Sequence, residues 1–199
     1  QKNRGAFTPI GGEFKELPTR KISEETCRKY GYKVGEYDGQ AAQLAPFIEG
    51  GVVVGQKIRL KGKVFRVIGD CSDLWGKHLW NDGKKICITT GELDALSVAE
   101  AQNCKWPVVS IPNGDKSAKK VIAKNLEWLL GFDETVLMFD MDKSGQEAAQ
   151  EVADLFPPGR CKIARLGKKD ASDVLGEEGV AAVVDAIWRA RVHRPDGII

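Results

Sequence analysis

From about residue 84 onward the chain alternates short apolar runs with amphipathic ones, and this rhythm limits the fold more than any other feature. KICITT is followed by a helical pattern on Leu93, Leu96 and Ala99. PVVSI is followed by SAKKVIAKNLEWLL, with Val121, Ile122, Leu126 and Leu129 on one face. ETVLMFD leads into a helix carrying Ala148, Ala149 and Val152. CKIARL leads, after a loop, into Val180, Val183, Val184 and Ile187 at the i, i+3, i+4, i+7 spacing. Strands that are apolar on both faces need cover on both faces. The pattern therefore predicts an α/β unit, a parallel sheet flanked by helices.

The front of the chain has a different rhythm. Ser23 is a good N-cap, Glu24 and Glu25 suit a first helical turn and Gly31 marks a stop, so a short helix is expected near 24–30. AQLAPFI, GVVVGQKIRL and KVFRVIG, separated by EGG and KG, read as an antiparallel meander. The expected organisation is a mixed α+β N-terminal subdomain over about 1–83, then the parallel sheet over about 84–199. Charge divides along similar lines. Residues 1–69 hold thirteen Lys/Arg against seven Asp/Glu, whereas the remainder holds seventeen against twenty-one. A basic front beside an acidic back suits a polyanion on one part and cations on the other, or simply two solvated surfaces. The apolar runs fall short of the roughly 18–20 residues of a membrane span. Five singly scattered cysteines without a CxxC pair argue against a disulfide framework and a zinc ribbon, and make a reducing cytoplasm the default expectation.

In an open parallel sheet, ligands bind beyond the carboxyl ends of the strands. The first strand ends at Thr90-Gly91, just before Glu92 and Asp94. The second is followed by Asp115, the third ends in Asp140-Met141-Asp142, and the fourth runs out toward Asp170 and Asp173. In an extended chain i and i+2 point to one side, so Asp140 and Asp142 are expected to address one point. Carboxylates that close repel unless a proton or a cation intervenes, and a few carboxylates with substrate phosphates are the usual shell of Mg²⁺. Asp140, Asp142 and Asp170 are the expected metal ligands, with a solvated turn as the plain alternative.

KIRLKGKVFR, residues 57–66, carries five cations and no acid. Lys57, Arg59 and Lys61 share one strand face, with Lys63 and Arg66 close behind. Such a face can hold phosphates of a nucleic acid or a triphosphate, or it can be an edge strand guarded by lysine. DLWGKHLWNDGKK adds Lys77 and His78, candidate substrate contacts, and Trp75 and Trp80, which fit packing better than base stacking.

The blocks GELDAL, VLMFDMD and KKDA, in this order, resemble the Toprim domain of primases and topoisomerases. RKISEETCRKYGY, GQKIRLKGKVF, LWGKHLWNDGKK, ELDALSVAEAQNCKWPVVS and the tail RPDGII extend the likeness over about 18–199. The longer likeness is to the RNA polymerase (primase) part of podovirus primase–helicases, a group related to the animal mitochondrial helicase Twinkle. This resemblance implies synthesis of short RNA primers on a single-stranded DNA template from ribonucleoside triphosphates, with Mg²⁺ or Mn²⁺, in a host cytoplasm if the source is a phage. It places Asp140, Asp142 and Asp170 at the metal and Lys57 and Lys63 at nucleotide phosphates and template. It also implies a zinc module and a helicase as further parts of such proteins. Neither paired cysteines nor a GxxxxGK[ST] loop occurs here, so an excised domain, or a lineage without those parts, is expected.

One position departs from the family. Aligning GELDAL puts Thr90 where Toprim proteins carry the strand-end glutamate, and Asp94 where they carry a later aspartate. A threonine cannot exchange a proton near neutral pH. Three outcomes stay open: lost activity, rescue by Glu92, or slow turnover on the three aspartates. A non-catalytic module that binds single-stranded DNA is the alternative reading of the whole chain.

Overall fold

The computed structural model describes residues 7–194; the RPDGII tail lies almost wholly outside them. The front sheet holds β1 (Gly12–Glu13), β2 (Lys33–Tyr37), β3 (Gln40–Glu49), β4 (Val52–Leu60) and β5 (Val64–Gly69), in that spatial order and antiparallel throughout. The EGG turn between β3 and β4 needs positive φ at Gly50 and Gly51, +58° and +79°, which glycine adopts without a Cβ penalty. Helix α1 (Glu24–Tyr30) is capped by the Ser23 hydroxyl, which accepts from the Thr26 N–H, and it stops at Gly31 with φ +73°.

The back sheet runs β10 (Arg191–Val192), β9 (Cys161–Ile163), β8 (Phe132–Met138), β6 (Gly83–Thr89), β7 (Val108–Ser110). The β6–β7, β6–β8 and β8–β9 pairs are parallel, as the alternation predicts, whereas β10 adds an antiparallel edge. Helices α2 (Glu92–Ala101), α5 (Ala171–Glu177) and α6 (Val180–Trp188) share one hydrophobic core, and α3 (Asp115–Leu129) and α4 (Lys143–Ala153) share another with the opposite sheet face. Three strands and one helix are absent from the sequence reading. β1, β2 and β10 escape the pattern because they are half-buried or two residues long. α5 escapes because seven residues give too few apolar positions to show a period.

The two sheets are joined by a common core. Trp75, fully buried, stacks on Tyr30 with ring centroids 5.2 Å apart and meets Tyr32 edge-on at 6.1 Å. Its backbone pairs with Ser110 at the end of β7 (2.9 and 3.0 Å), and the Tyr30 hydroxyl donates to the Val108 carbonyl at 3.0 Å. Trp75 thus ties α1 and the segment that leads into β2 to the end of β7. Trp75→Ala is expected to lower unfolding free energy by about 3–5 kcal/mol, read by urea denaturation. A loss below about 1 kcal/mol would mean that the junction carries little of the stability.

β4 is not an edge. It pairs with β3 on one side and β5 on the other, so its cations do not guard an open strand. That removes the edge-protection explanation of Lys57 and Arg59.

Candidate active site

The carboxyl ends of β6 and β8 point at the front sheet, and the acids collect there. After β6 the buried Thr89 donates its hydroxyl to the Gly91 carbonyl (2.9 Å), which turns the chain into α2. The next side chain, Thr90, donates to Asp140 Oδ1 at 2.9 Å. Asp94 stands in the first turn of α2, and its Oδ1 accepts from the Ser172 N–H at 3.0 Å. Asp170 is the N-cap of α5, its Oδ1 accepting from the Asp173 N–H at 2.8 Å. Together Thr90, Asp94, Asp140 and Asp170 line a cavity of about 250 Å³, whose other walls include Arg20, Arg59, Lys63 and Lys169.

The sequence expectation for FDMD changes here. β8 ends at Met138, so the alternation of an extended chain does not reach Asp142. Asp142 is instead the N-cap of α4, with its Oδ1 accepting from the Gly145 N–H at 2.9 Å, while Asp140 turns toward Thr90. Gly145 is required at this corner, because a Cβ there would run into the Asp140 carbonyl. Asp142 therefore stands beside the cluster, close enough to act on Asp140 electrostatically, without lining its cavity. Asp170 likewise sits at a helix cap seven residues past β9 rather than on a strand tip.

Burial and neighbouring carboxylates both act on the acids of this pocket. Burial first, then the charges of Asp170 and Asp140, hold the Asp94 carboxyl well above the usual carboxylate range. Burial also raises Asp140, helped by Asp170 and Asp142 and opposed by the Thr90 hydroxyl. Such a cluster favours either a shared proton or a cation. Among the described residues no three His, Cys, Asp or Glu side chains form a ready-made ligand set. Mg²⁺ needs less than that, since it keeps several waters and takes one or two carboxylates with substrate phosphates. One or two of the Asp94, Asp140 and Asp170 carboxylates would meet that need.

The cations separate into three groups. Lys57, nearly buried, donates to both carboxylate oxygens of Glu92 (2.9 and 3.1 Å) and to the Pro112 carbonyl (2.8 Å). Glu92 is therefore held away from the acid cavity by a lysine, and burial raises its pKa despite that partner. Arg59 and Lys63 face the acids, whereas Lys61, exposed on the same turn, lines neither cavity at the sheet ends. Lys77 and His78 stand elsewhere, in a separate cavity of about 400 Å³ with Trp80, Lys124 and Trp128. There Lys77 donates to Asn125 Oδ1 (2.6 Å) and Asp73 Oδ2 (3.2 Å) and lies over the Trp128 ring, and desolvation lowers the His78 pKa.

Removing one member of a buried ion pair leaves the other charge uncompensated. Lys57→Gln is expected to destabilise the fold by about 3–5 kcal/mol, and Lys57→Gln with Glu92→Gln to recover most of that loss. Chemical denaturation of the two variants checks this; no recovery in the double variant would place the lysine's role outside stability.

Asp94, Arg20 and Lys169 were not among the expected site residues. Asp94 had a signal, standing three residues past the strand-end glycine in the first helical turn. Arg20 comes from the aperiodic N-terminal stretch and reaches the site by donating to Ser172 Oγ at 3.0 Å, which no spacing announces.

Two family models match the chain. One is described as bacteriophage T7 DNA helicase/primase, N-terminal a+b fold, over residues 12–69, and the other as Toprim-like, over 87–175. The DNA helicase/primase of Enterobacteria phage T3 is 41% identical over 198 residues, covering 97% of this chain, which spans only 35% of that protein's length. Among solved structures, the primase fragment of the bacteriophage T7 primase-helicase is 43% identical with a TM-score of 0.85, covering 89% of this chain and 75% of that one. The T7 primase domains seen with the lagging-strand DNA polymerase, bound to an RNA/DNA hybrid and dTTP, are 41% identical with a TM-score of 0.86, covering 92% and 94%. The RNA polymerase domain of the Mycobacterium tuberculosis primase shares the fold at 17% identity and a TM-score of 0.67, over 88% of this chain and 72% of that one. With a Toprim acid cluster facing a basic antiparallel sheet, and over 40% identity across most of the T7 primase fragment, the chain belongs to the primase part of the T7-type primase-helicase family.

Proposed function

We propose that this chain is the RNA polymerase unit of a DNA primase, built to extend short RNA on a single-stranded DNA template from ribonucleoside triphosphates, and that Thr90 leaves its chemistry impaired. The observation that carries the reading is the meeting of Asp94, Asp140 and Asp170 with Arg20, Arg59 and Lys63 around one cavity at the ends of β6 and β8. The unit divides near residue 83 into a basic front and a Toprim back, and works beside helicase and zinc-binding modules.

In nucleotidyl transfer the primer 3′ hydroxyl attacks the α-phosphorus, its proton leaves and pyrophosphate departs. Mg²⁺, or Mn²⁺, when bound, supplies charge neutralisation for the phosphates at Asp94, Asp140 and Asp170, with Asp142 within electrostatic reach. Arg59 and Lys63 hold phosphate oxygens and oppose the negative charge that builds on them. Lys57 is committed to Glu92, so its contribution is to fix the α2 start and add a partly compensated positive field. Lys61, Lys77 and His78 lie outside this cavity and suit the path of the template strand. Thr90 holds Asp140 by a hydrogen bond but takes no proton, and Glu92 is not placed to replace a strand-end carboxylate.

The test is extension of a ribonucleotide dimer on a single-stranded template with labelled ribonucleotides and Mg²⁺. Template-complementary products that vanish with a chelator support the reading. Thr90 also favours a second reading, a module that binds single-stranded DNA without chemistry. Template binding with no extension by the chain or by its Thr90→Glu variant would select that one.

A further inference from the structure

A second cavity opens from the acid site. It measures about 420 Å³ and shares Arg59, Thr90, Gly91, Leu93 and Asp94 with the first, so the two are continuous through one wall. Its remaining lining differs in kind, because Phe65 and Val67 of β5 are among it. These residues pair across the strands with Arg59 and Lys57 and stand on the same sheet face as those cations. Phe65 is 40% exposed and Val67 50% exposed. Among the described residues β5 is an edge strand of the front sheet, a position where soluble proteins avoid exposed apolar side chains and favour charge. The Arg59 guanidinium and Lys57 ammonium lie 5.3 and 5.1 Å from the Phe65 ring centroid. Both cations lie over the ring, and Phe65 still keeps two fifths of its surface open to solvent.

We propose that Phe65, backed by Val67, is the platform on which a nucleobase stacks while the attached phosphates lie against Arg59 and Lys63. The inference rests on the primase reading and adds to it the place of the base. An aromatic face accepts any base, so the platform holds a nucleotide without choosing its identity. The same chemistry is presented by a ribonucleoside triphosphate and by a template nucleotide, and binding separates them.

Titration calorimetry with Mg²⁺ present would compare the chain with Phe65→Leu against four ligands: ATP, inorganic tripolyphosphate, oligothymidylate, and an abasic oligonucleotide of equal length. The expected result is a loss of about tenfold in affinity for a base-bearing ligand, with its base-free counterpart unchanged. A loss confined to ATP assigns the platform to the incoming nucleotide, and one confined to oligothymidylate assigns it to the template. Phe65→Trp gives an independent readout: base-bearing ligand should quench the added indole while tripolyphosphate does not. Equal losses with and without a base, or no change for either base-bearing ligand, would overturn the platform while leaving the primase reading intact. If the unaltered chain bound neither ATP nor oligothymidylate, the primase reading would fall together with it.

Discussion

Thr90→Glu is expected to raise primer extension by about 10²–10⁴-fold, the usual worth of one positioned acid–base group. The site is otherwise equipped: Asp140 and Asp170 face the same cavity, Arg59 and Lys63 stand opposite, and the hydroxyl of Thr90 already touches Asp140 at 2.9 Å. A glutamate there reaches further from the same strand end. It would add a group able to take a proton and a fifth carboxylate to a pocket that Asp94, Asp140, Asp170 and Asp173 already line and where burial and like charge raise Asp94 and Asp140. The variant should therefore melt lower than the unaltered chain without divalent cation and regain stability when Mg²⁺ is added. Single-turnover extension and paired melting curves read both effects. Equal rates for the two chains would mean that the strand-end group is not the missing element, and attention would pass to the three aspartates.

Asp140→Asn is expected to act in the opposite sense. The amide oxygen can still accept from Thr90, so the local geometry is kept while one charge is removed. Asp140 has a folded-state pKa above its unfolded value, so its ionised form opposes folding. The penalty is absent below the unfolded pKa, grows between the unfolded and the folded values, and is complete above the folded one. The asparagine variant should thus be as stable as the unaltered chain, or more so, in metal-free buffer at neutral pH. It should also lose most of the stabilisation that Mg²⁺ gives, which for a ligand at a hundred times its Kd is about 2.7 kcal/mol. In the Thr90→Glu background, extension should fall by at least about 10²-fold, since a ligand to the ion is gone. A variant that gained no metal-free stability and kept its full Mg²⁺ response would remove Asp140 from the metal site.

These two variants separate what was visible in the chain from what was not. GELDAL and FDMD announce acids at strand ends, and the departure at Thr90 is plain from alignment of the first block alone. The partner of Glu92 was not visible. Lys57 is thirty-five residues earlier, on a strand of the other sheet, and only packing of α2 against the front sheet brings the two together. The fate of Asp142 was also hidden, because strand periodicity places it with Asp140 until the strand is known to end at Met138.

Local rules therefore determined a great deal of this protein. The helix capped by Ser23, the EGG hairpin, the strand–helix alternation over 83–138 and the acids that follow its strands all come from residues near in sequence. The tertiary structure alone decided which acids share a cavity, that β5 rather than β4 is an edge strand, and that Arg20 joins the site while Lys77 and His78 do not. The reason is physical: capping, turns and periodicity act over a few residues, whereas a pocket is set by how whole sheets pack, here around one buried indole between them.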